Sequence, residues 1–210
     1  DANGEVAEAV QSNRYLDTVD RSLAARRVMI RIRLAGDRAT CTAKSGASMV
    51  DGVMRVNEWE IALPTAVAAA WRAGQSVCQL QALPLCDELI AGPLADLPNA
   101  ATRTLHVIGV MQTTRRAYGV SPEALGLPPG PTLVLELDHS LFPAGQERFE
   151  LEVEHRDAAA LKRAVTGLLD ALDVSWRAAD ISKYQQFLQA QAQAPGIDDV
   201  DGLDGADGPR

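Results

Sequence analysis

Several stretches of this chain alternate charge with hydrophobe at a period of two, and that pattern restricts them to strands with two unlike faces. In residues 27–34 (RVMIRIRL), Val28, Ile30, Ile32 and Leu34 alternate with Arg31 and Arg33, with Met29 the exception. Glu58 and Glu60 form a second like-signed pair, Glu136 and Asp138 a third, and Glu150, Glu152 and Glu154 a run. Residues two apart on a strand share a face about 6.5–7 Å apart, so each pair repels itself, more strongly where the dielectric is low. A face built for solubility mixes signs, whereas here the signs are sorted by strand. The repulsion is relieved if strands of opposite sign face one another, or if a polyanion and a metal ion lie between them. The other faces (Ile30/Ile32/Leu34, Leu133/Leu135/Leu137, Phe149/Leu151/Val153) are apolar and expected to pack under helices. An ordinary antiparallel sheet with one solvated face shows the same alternation, so spacing alone leaves both readings open.

Around these strands the sequence predicts a mixed architecture. Residues 1–12 read as a helix end or lead-in, and 13–26 as turn followed by helix. Strands are predicted over 27–34, 39–44 and 53–63, with a loop at 46–52. Residues 64–73 read as a helix with Pro64 at its start, and 74–101 as one helix with irregular flanks. Further strands are predicted over 106–117, 132–138 and 147–155. A helix N-capped by Asp157 follows through Leu172, with Leu161, Val165, Leu168, Leu169 and Leu172 on one face, and a last helix spans 181–191. Residues 1–192 are expected to form one domain and 193–210, rich in Asp and Gly, an acidic disordered tail.

Charge and composition remove whole classes of function. With 20 Lys+Arg against 28 Asp+Glu and a net charge of −8, the chain is a poor candidate for coating nucleic acid or docking on anionic lipid. Five Asp and one Arg place −4 of that charge in residues 195–210. Aromatics make up 4%, so no base-stacking platform is expected. The three cysteines, Cys41, Cys78 and Cys86, include no CxxC pair, which favours a reducing compartment over a disulfide or zinc scaffold. No signal peptide or membrane-length apolar run occurs, and a cytoplasmic protein, monomeric or homodimeric, is expected. His106, His139 and His155 lack metal-ligand spacing. Neither a P-loop nor a G-x-S-x-G nucleophile motif is present.

The segment 13–34 (NRYLDTVDRSLAARRVMIRIRL) resembles the CYTH superfamily, the triphosphate tunnel metalloenzymes, in its Y-L-D-T element followed by R-x-R. Further elements follow in the family's order: T-x-K (Thr42, Lys44), R-V-x-E-x-E (Arg55, Glu58, Glu60) and an arginine in TTRRAY, for which Arg115 is favoured over Arg116. Then come E-L-D (Glu136, Asp138), F-E-x-E-x-E (149–154) and S-K-Y (Ser182, Lys183, Tyr184). The resemblance runs from Asn13 to Leu188 and is strongest to stand-alone plant-type and bacterial members.

The resemblance implies an α+β fold: an antiparallel β-barrel forming a tunnel, with flanking helices and inward charges. It implies that Arg31, Arg33, Lys44, Arg55, Arg115 and Lys183 bind a small-molecule triphosphate, arginine's fork suiting phosphate oxygens. It implies that Glu58, Glu60, Glu136, Asp138, Glu150 and Glu152 hold Mg²⁺ or Mn²⁺, hard cations that take oxygen ligands, and that Glu58, Glu60 and Lys183 serve catalysis. The expected activity is divalent-metal-dependent hydrolysis of the terminal phosphoryl of inorganic triphosphate or a related compound. The alternatives are a thiamine-triphosphatase or adenylate-cyclase-type member, or a non-catalytic domain binding polyphosphate or another phosphorylated ligand. The family's opening E-x-E-x-K strand has no counterpart here, and the first residue is Asp1 rather than Met. The barrel is therefore expected to be incomplete at its N-terminus, the sequence being a fragment or the protein lacking that strand. Gln186 also stands where the family's S-K-x-x-R has arginine.

Overall fold

The strand carrying Tyr15-Leu16-Asp17 organises the sheet. The computed structural model describes residues 6–155 and 157–193, and its first strand, β1 (Val6–Asp17), pairs antiparallel with two partners at once. These are β2 (Val28–Ala35) and the 17-residue β6 (Thr104–Val120). Residues 6–17 are thus strand rather than helix end and turn. The Ala-, Glu- and Gln-rich composition there favours helix locally, and two flanking strands override it. Antiparallel pairing then runs outward from β2 through β3 (Arg38–Val50) to β4 (Val53–Ala62). On the other side it runs from β6 through β7 (Leu133–Leu141) to β8 (Glu147–Val153). The order is β4-β3-β2-β1-β6-β7-β8, with β5 (Val77–Gln79) pairing alongside β6. The result is an α+β, strongly curled half-barrel of antiparallel strands with flanking helices. The loop expected at 46–52 is shorter than that, because β3 continues to Val50 across a register shift between Ser45 and Ser48.

Two apolar faces lie outside the curl and one plug lies within it. Val28, Ile30 and Ile32 of β2 and Cys41 and Ala43 of β3 are buried outward with Trp71 of α2 (Thr65–Arg72) and Leu89 of α3 (Cys86–Ala91). Residues 74–101 contain one short helix, α3, flanked by β5 and short turns, in keeping with their prolines. On the other wing, α4 (Ala158–Ala171), capped by Asp157 accepting from the Ala160 N–H, packs Leu161 on Leu133 and Leu135. This helix leaves Leu137 and Phe149 uncovered at 36% and 68% exposure, so the apolar face of β7–β8 is only partly sealed. Among the described residues no helix is long and apolar enough to cross a membrane. The predicted tail from residue 194 onward lies outside the described residues.

The third cluster closes one end of the trough. Helix α5 (Lys183–Gln193) inserts Phe187 among Tyr15, Met29, Met111 and Phe142. Its ring lies against Gly109 of β6, where a Cβ would stand 2.5 Å from Phe187 Cζ. Gly109 sits where the β1–β6 register shifts, beside Tyr15/Leu16, and its missing side chain admits the ring. A Gly109→Ala substitution should therefore unseat α5 and cost about 1–3 kcal/mol, in the range for overpacking, read as a lower urea midpoint. Phe187→Leu in that background should recover part of the loss. Wild-type stability of the Ala variant would show that this contact does not hold α5.

Candidate functional site

Strand alternation decides which side chains enter the trough. From β2 the inward side chains are Met29, Arg31 and Arg33; from β3, Thr42 and Lys44; from β4, Glu58 and Glu60. The register sets Arg31 beside Thr42 and Thr42 beside Glu60, and sets Lys44 beside Glu58. From β6 comes Arg115, from β7 Glu136 and Asp138, and from β8 Glu150 and Glu152, with Arg115 opposite Asp138 and Asp138 opposite Glu150. Between the wings, β1 contributes only the uncharged Gln11, Asn13 and Tyr15 to the lining. Together with α4 (Ala158–Ala171), α5 and residues 174–182, these strands line a cavity of about 1710 Å³.

The acidic wing is neutralised from within. Asp138 lies opposite Glu150, and Glu136 opposite Glu152, across one strand pair. Directly opposed like charges are unfavourable. Arg115 answers with a fork: Nε and Nη2 each donate to Asp138 at 2.7 Å, Nη2 also reaches Glu152 at 3.0 Å, and Nη1 bonds Glu136. Lys183 Nζ stands 2.5 Å from Asp138 Oδ2, 3.0 Å from Glu152 Oε1 and 3.2 Å from Glu150 Oε2. Burial alone would raise the Asp138 and Glu152 carboxyls, but the Arg115 and Lys183 charges and hydrogen bonds outweigh it and hold both below their ordinary values. The same partners hold the Lys183 ammonium above its usual range against its burial.

The basic wing is not neutralised in this way. Arg31 is buried, donates to Thr42 Oγ1 at 3.2 Å, and stands 3.8 Å from Glu60, while its Nε has no hydrogen-bond partner. The Thr42 hydroxyl in turn donates to Glu60 Oε2 at 2.7 Å. Arg33 makes no ion pair among the described residues and donates only to Asn13 Oδ1, at 3.3 Å. Burial, then the charges of Arg31 and Arg115, push its guanidinium down to about 10. Lys44 pairs with Glu58 at 2.9 Å.

Of the expected site residues, Arg31, Arg33, Lys44, Glu58, Glu60, Arg115, Glu136, Asp138, Glu150, Glu152 and Lys183 all line the one trough. Arg55 does not. It is exposed and alternates with the inward Glu58 and Glu60, three positions from the first of them, so it is brought to the other face. Arg116 likewise points outward and pairs with Glu8 at 2.7 Å. Three residues were given no role by the sequence. Asp17 is fully buried and accepts from the N–H groups of Thr18, Leu23 and Ala24, so in Y-L-D-T it anchors the turn of α1 (Ser22–Ala25). Asn13 holds Arg33. Gln186, buried on α5, donates from Nε2 to Glu150 at 2.9 Å. The Cys41 thiol is pushed up to about 12, first by burial, and makes no candidate nucleophile.

A CYTH domain model matches residues 2–177. The chain belongs to the CYTH domain family. HpAC1 from Hippeastrum, a putative adenylyl cyclase whose structural study reports a dominant triphosphatase activity, superposes on this CYTH domain with a TM-score of 0.72 at 18% identity, covering 87% of this chain and 83% of that one. A putative adenylate cyclase from Bacillus halodurans is similar at a TM-score of 0.57 and 23% identity, covering 86% and 82%. PH1819 of Pyrococcus horikoshii is similar at 0.52 and 15%, covering 90% and 87%. Identities this low speak for the fold. No curated protein sequence matches the chain.

The donor set suits the hard divalent cations of the family, since every acidic ligand candidate offers carboxylate oxygen. Among the described residues no group of three His, Cys, Asp or Glu is placed to hold a metal ion. Three carboxylates do converge, but on Lys183 Nζ at ammonium distances, wider than the 2.0–2.1 Å about Mg²⁺. The residues therefore fit such a cation in chemistry, with an ammonium standing among them.

Because Asp138 and Glu152 titrate below their unfolded values, their contribution to stability is complete above about pH 4 and is lost as pH falls through the depressed values. Arg115→Met should cost roughly 3–5 kcal/mol at pH 7 by stranding the carboxylates. It should also reverse the slope, the variant gaining stability as pH is lowered from 7 towards the carboxyl range. Urea unfolding from pH 7 to 3 reads both, and parallel profiles for the two proteins would contradict this assignment of the wing.

Proposed function

We propose that this CYTH domain is a divalent-metal-dependent phosphoanhydride hydrolase that cleaves the terminal phosphoryl of inorganic triphosphate or a related triphosphate compound in the charged trough. The observation that carries this reading is the Arg31/Arg33 pair, one buried and one half-buried guanidinium on one strand face with too little carboxylate to balance them. A linear polyanion supplies the missing charge and accepts from the Arg31 N–H that now has no partner. Phosphoryl transfer asks mainly for positioning and charge neutralisation, and a polar trough provides both without a nucleophilic side chain.

In this reading Arg31 and Arg33 hold the non-transferred phosphates and Lys44 reaches the chain from β3. Arg115 and Lys183 border the trough on the acidic side. Asp138, Glu150 and Glu152 would hold a divalent cation, with Glu136 beside them, and such a cation supplies neutralisation of phosphate oxygens and a more acidic water. Glu58 and Glu60, across the trough and partly open to solvent, are placed to orient a water and take up the proton it releases. A second reading, a non-catalytic domain binding a phosphorylated ligand, draws on Arg115 and Lys183 already pairing with the four carboxylates of β7 and β8.

Phosphate release from inorganic triphosphate, ATP and thiamine triphosphate separates the two, with Mg²⁺, Mn²⁺ or EDTA added to the full chain. Release should require metal and be fastest with inorganic triphosphate. Arg33→Gln should lower kcat/KM about 10²-fold, matching the ~2–3 kcal/mol of a hydrogen bond to a charged group, whereas Arg55→Ala should leave it unchanged. Triphosphate binding without metal-dependent release would favour the binding domain.

A further inference from the structure

We infer that the Lys183 ammonium is a tethered cation standing where a divalent metal would lie between Asp138, Glu150 and Glu152, so that metal loading and Lys183 docking exclude each other. The inference rests on the metal-dependent reading above and concerns how that site is filled. Four carboxylates on β7 and β8 meet two cations. The Arg115 fork commits to Asp138 and Glu136 and only reaches across to Glu152. The remaining demand falls on a single nitrogen, which stands within 2.5–3.2 Å of an oxygen from each of three side chains on two strands. An ammonium has three protons, and three carboxylates around it are a cation site already filled.

The fit is incomplete on one side. Gln186 lies three positions after Lys183, on the same face of α5. It is buried at 7% exposure and donates to Glu150 Oε1 at 2.9 Å. Its own Oε1, and Glu150 Oε2, are buried without a hydrogen-bond partner. Lys183 Nζ is 3.2 Å from that Glu150 oxygen yet forms no hydrogen bond with it. Two acceptors on adjoining side chains are thus left without a donor, the ammonium's hydrogen bonds going to Asp138 and Glu152. A hydrated divalent cation, keeping several waters, carries enough donors and charge to satisfy both. Arginine at position 186 would add a third cation there, whereas the neutral glutamine leaves an acceptor.

Lys183 also precedes, along the chain, the contacts that seat the plug. It is the first residue of α5, and the helix is anchored further along, by Phe187 against Gly109 and Gln191 bonded to the Ile108 carbonyl. Residues 174–182 leading to it are not helical. Withdrawal of the ammonium turns it from the carboxylates into the trough, towards the position assigned to phosphate. Metal entry would in this way deliver a positive charge to the substrate side.

Direct Mn²⁺ binding without substrate tests this, followed by the EPR signal of free Mn²⁺ in titrations of wild type, Lys183→Met and Lys183→Arg. The Met variant should bind at least tenfold more tightly than wild type, and the Arg variant no more tightly than wild type. Adding Glu150→Gln to the Met variant should remove the gain. Equal or weaker binding by a folded Met variant overturns the inference and leaves the metal-dependent reading intact, whereas no Mn²⁺ binding by any variant overturns both. If the Met variant fails to fold, wild type answers the same question through reductive methylation. Saturating Mg²⁺ should speed modification of Lys183 at least threefold, and an unchanged or slower rate overturns the inference.

Discussion

The interaction on which the rest depends is the joint neutralisation of the β7–β8 carboxylates by Arg115 and Lys183. Asp138 opposite Glu150 and Glu136 opposite Glu152 cannot be built from two strands alone, since each register pair sets like charges face to face. The compensating cations come from outside the pair, one from β6 and one from α5. The docking of α5 is therefore more than a hydrophobic closure. The ring of Phe187, admitted by Gly109, brings a charge without which the adjoining strands would repel. Breaking such a pair by removing one partner costs more than the pair gains when formed, so plug and acidic wing depend on each other.

The basic wing has the opposite balance. Its carboxylates, Glu58 and Glu60, are taken up by Lys44 and, through Thr42, by Arg31, which leaves Arg33 with an amide oxygen only. A half-buried guanidinium whose proton is held less tightly than usual is a group kept in an unfavourable state by its neighbours. Such arrangements concentrate at functional sites. β1 keeps the wings apart by lining the trough with uncharged side chains, so the cations of β2 are not cancelled by the carboxylates of β7 and β8.

What could be read from the sequence was whatever depends on a period of two. The inward sets Arg31/Arg33, Glu58/Glu60, Glu136/Asp138 and Glu150/Glu152 follow from alternation, as does the burial of Ile30 and Ile32. Arg55 shows the same rule applied too loosely, since an odd spacing from Glu58 already assigns it to the other face. The first strand was hidden because residues 6–12 are helix-favouring and acquire their conformation chiefly from β6, which is not a local neighbour. Asp17, Gly109 and Gln186 were illegible for a related reason: each acts through a contact that only the fold creates. The clearest case is Gly109, whose meaning lies in an aromatic ring 78 positions further along the chain.

Strand direction and charge together explain why the curl remains a trough. Seven strands that alternate in direction leave the outer two, β4 and β8, running the same way, so direct pairing between them would be parallel in an otherwise antiparallel sheet. Each of these edges also turns carboxylates inward, Glu58 and Glu60 on one and Glu150 and Glu152 on the other. Bringing the edges together would therefore set acid against acid with no strand between to carry a cation. Inward charge on an edge strand is a known guard against edge-to-edge pairing. Here it also leaves the trough open beside the under-compensated arginines of β2.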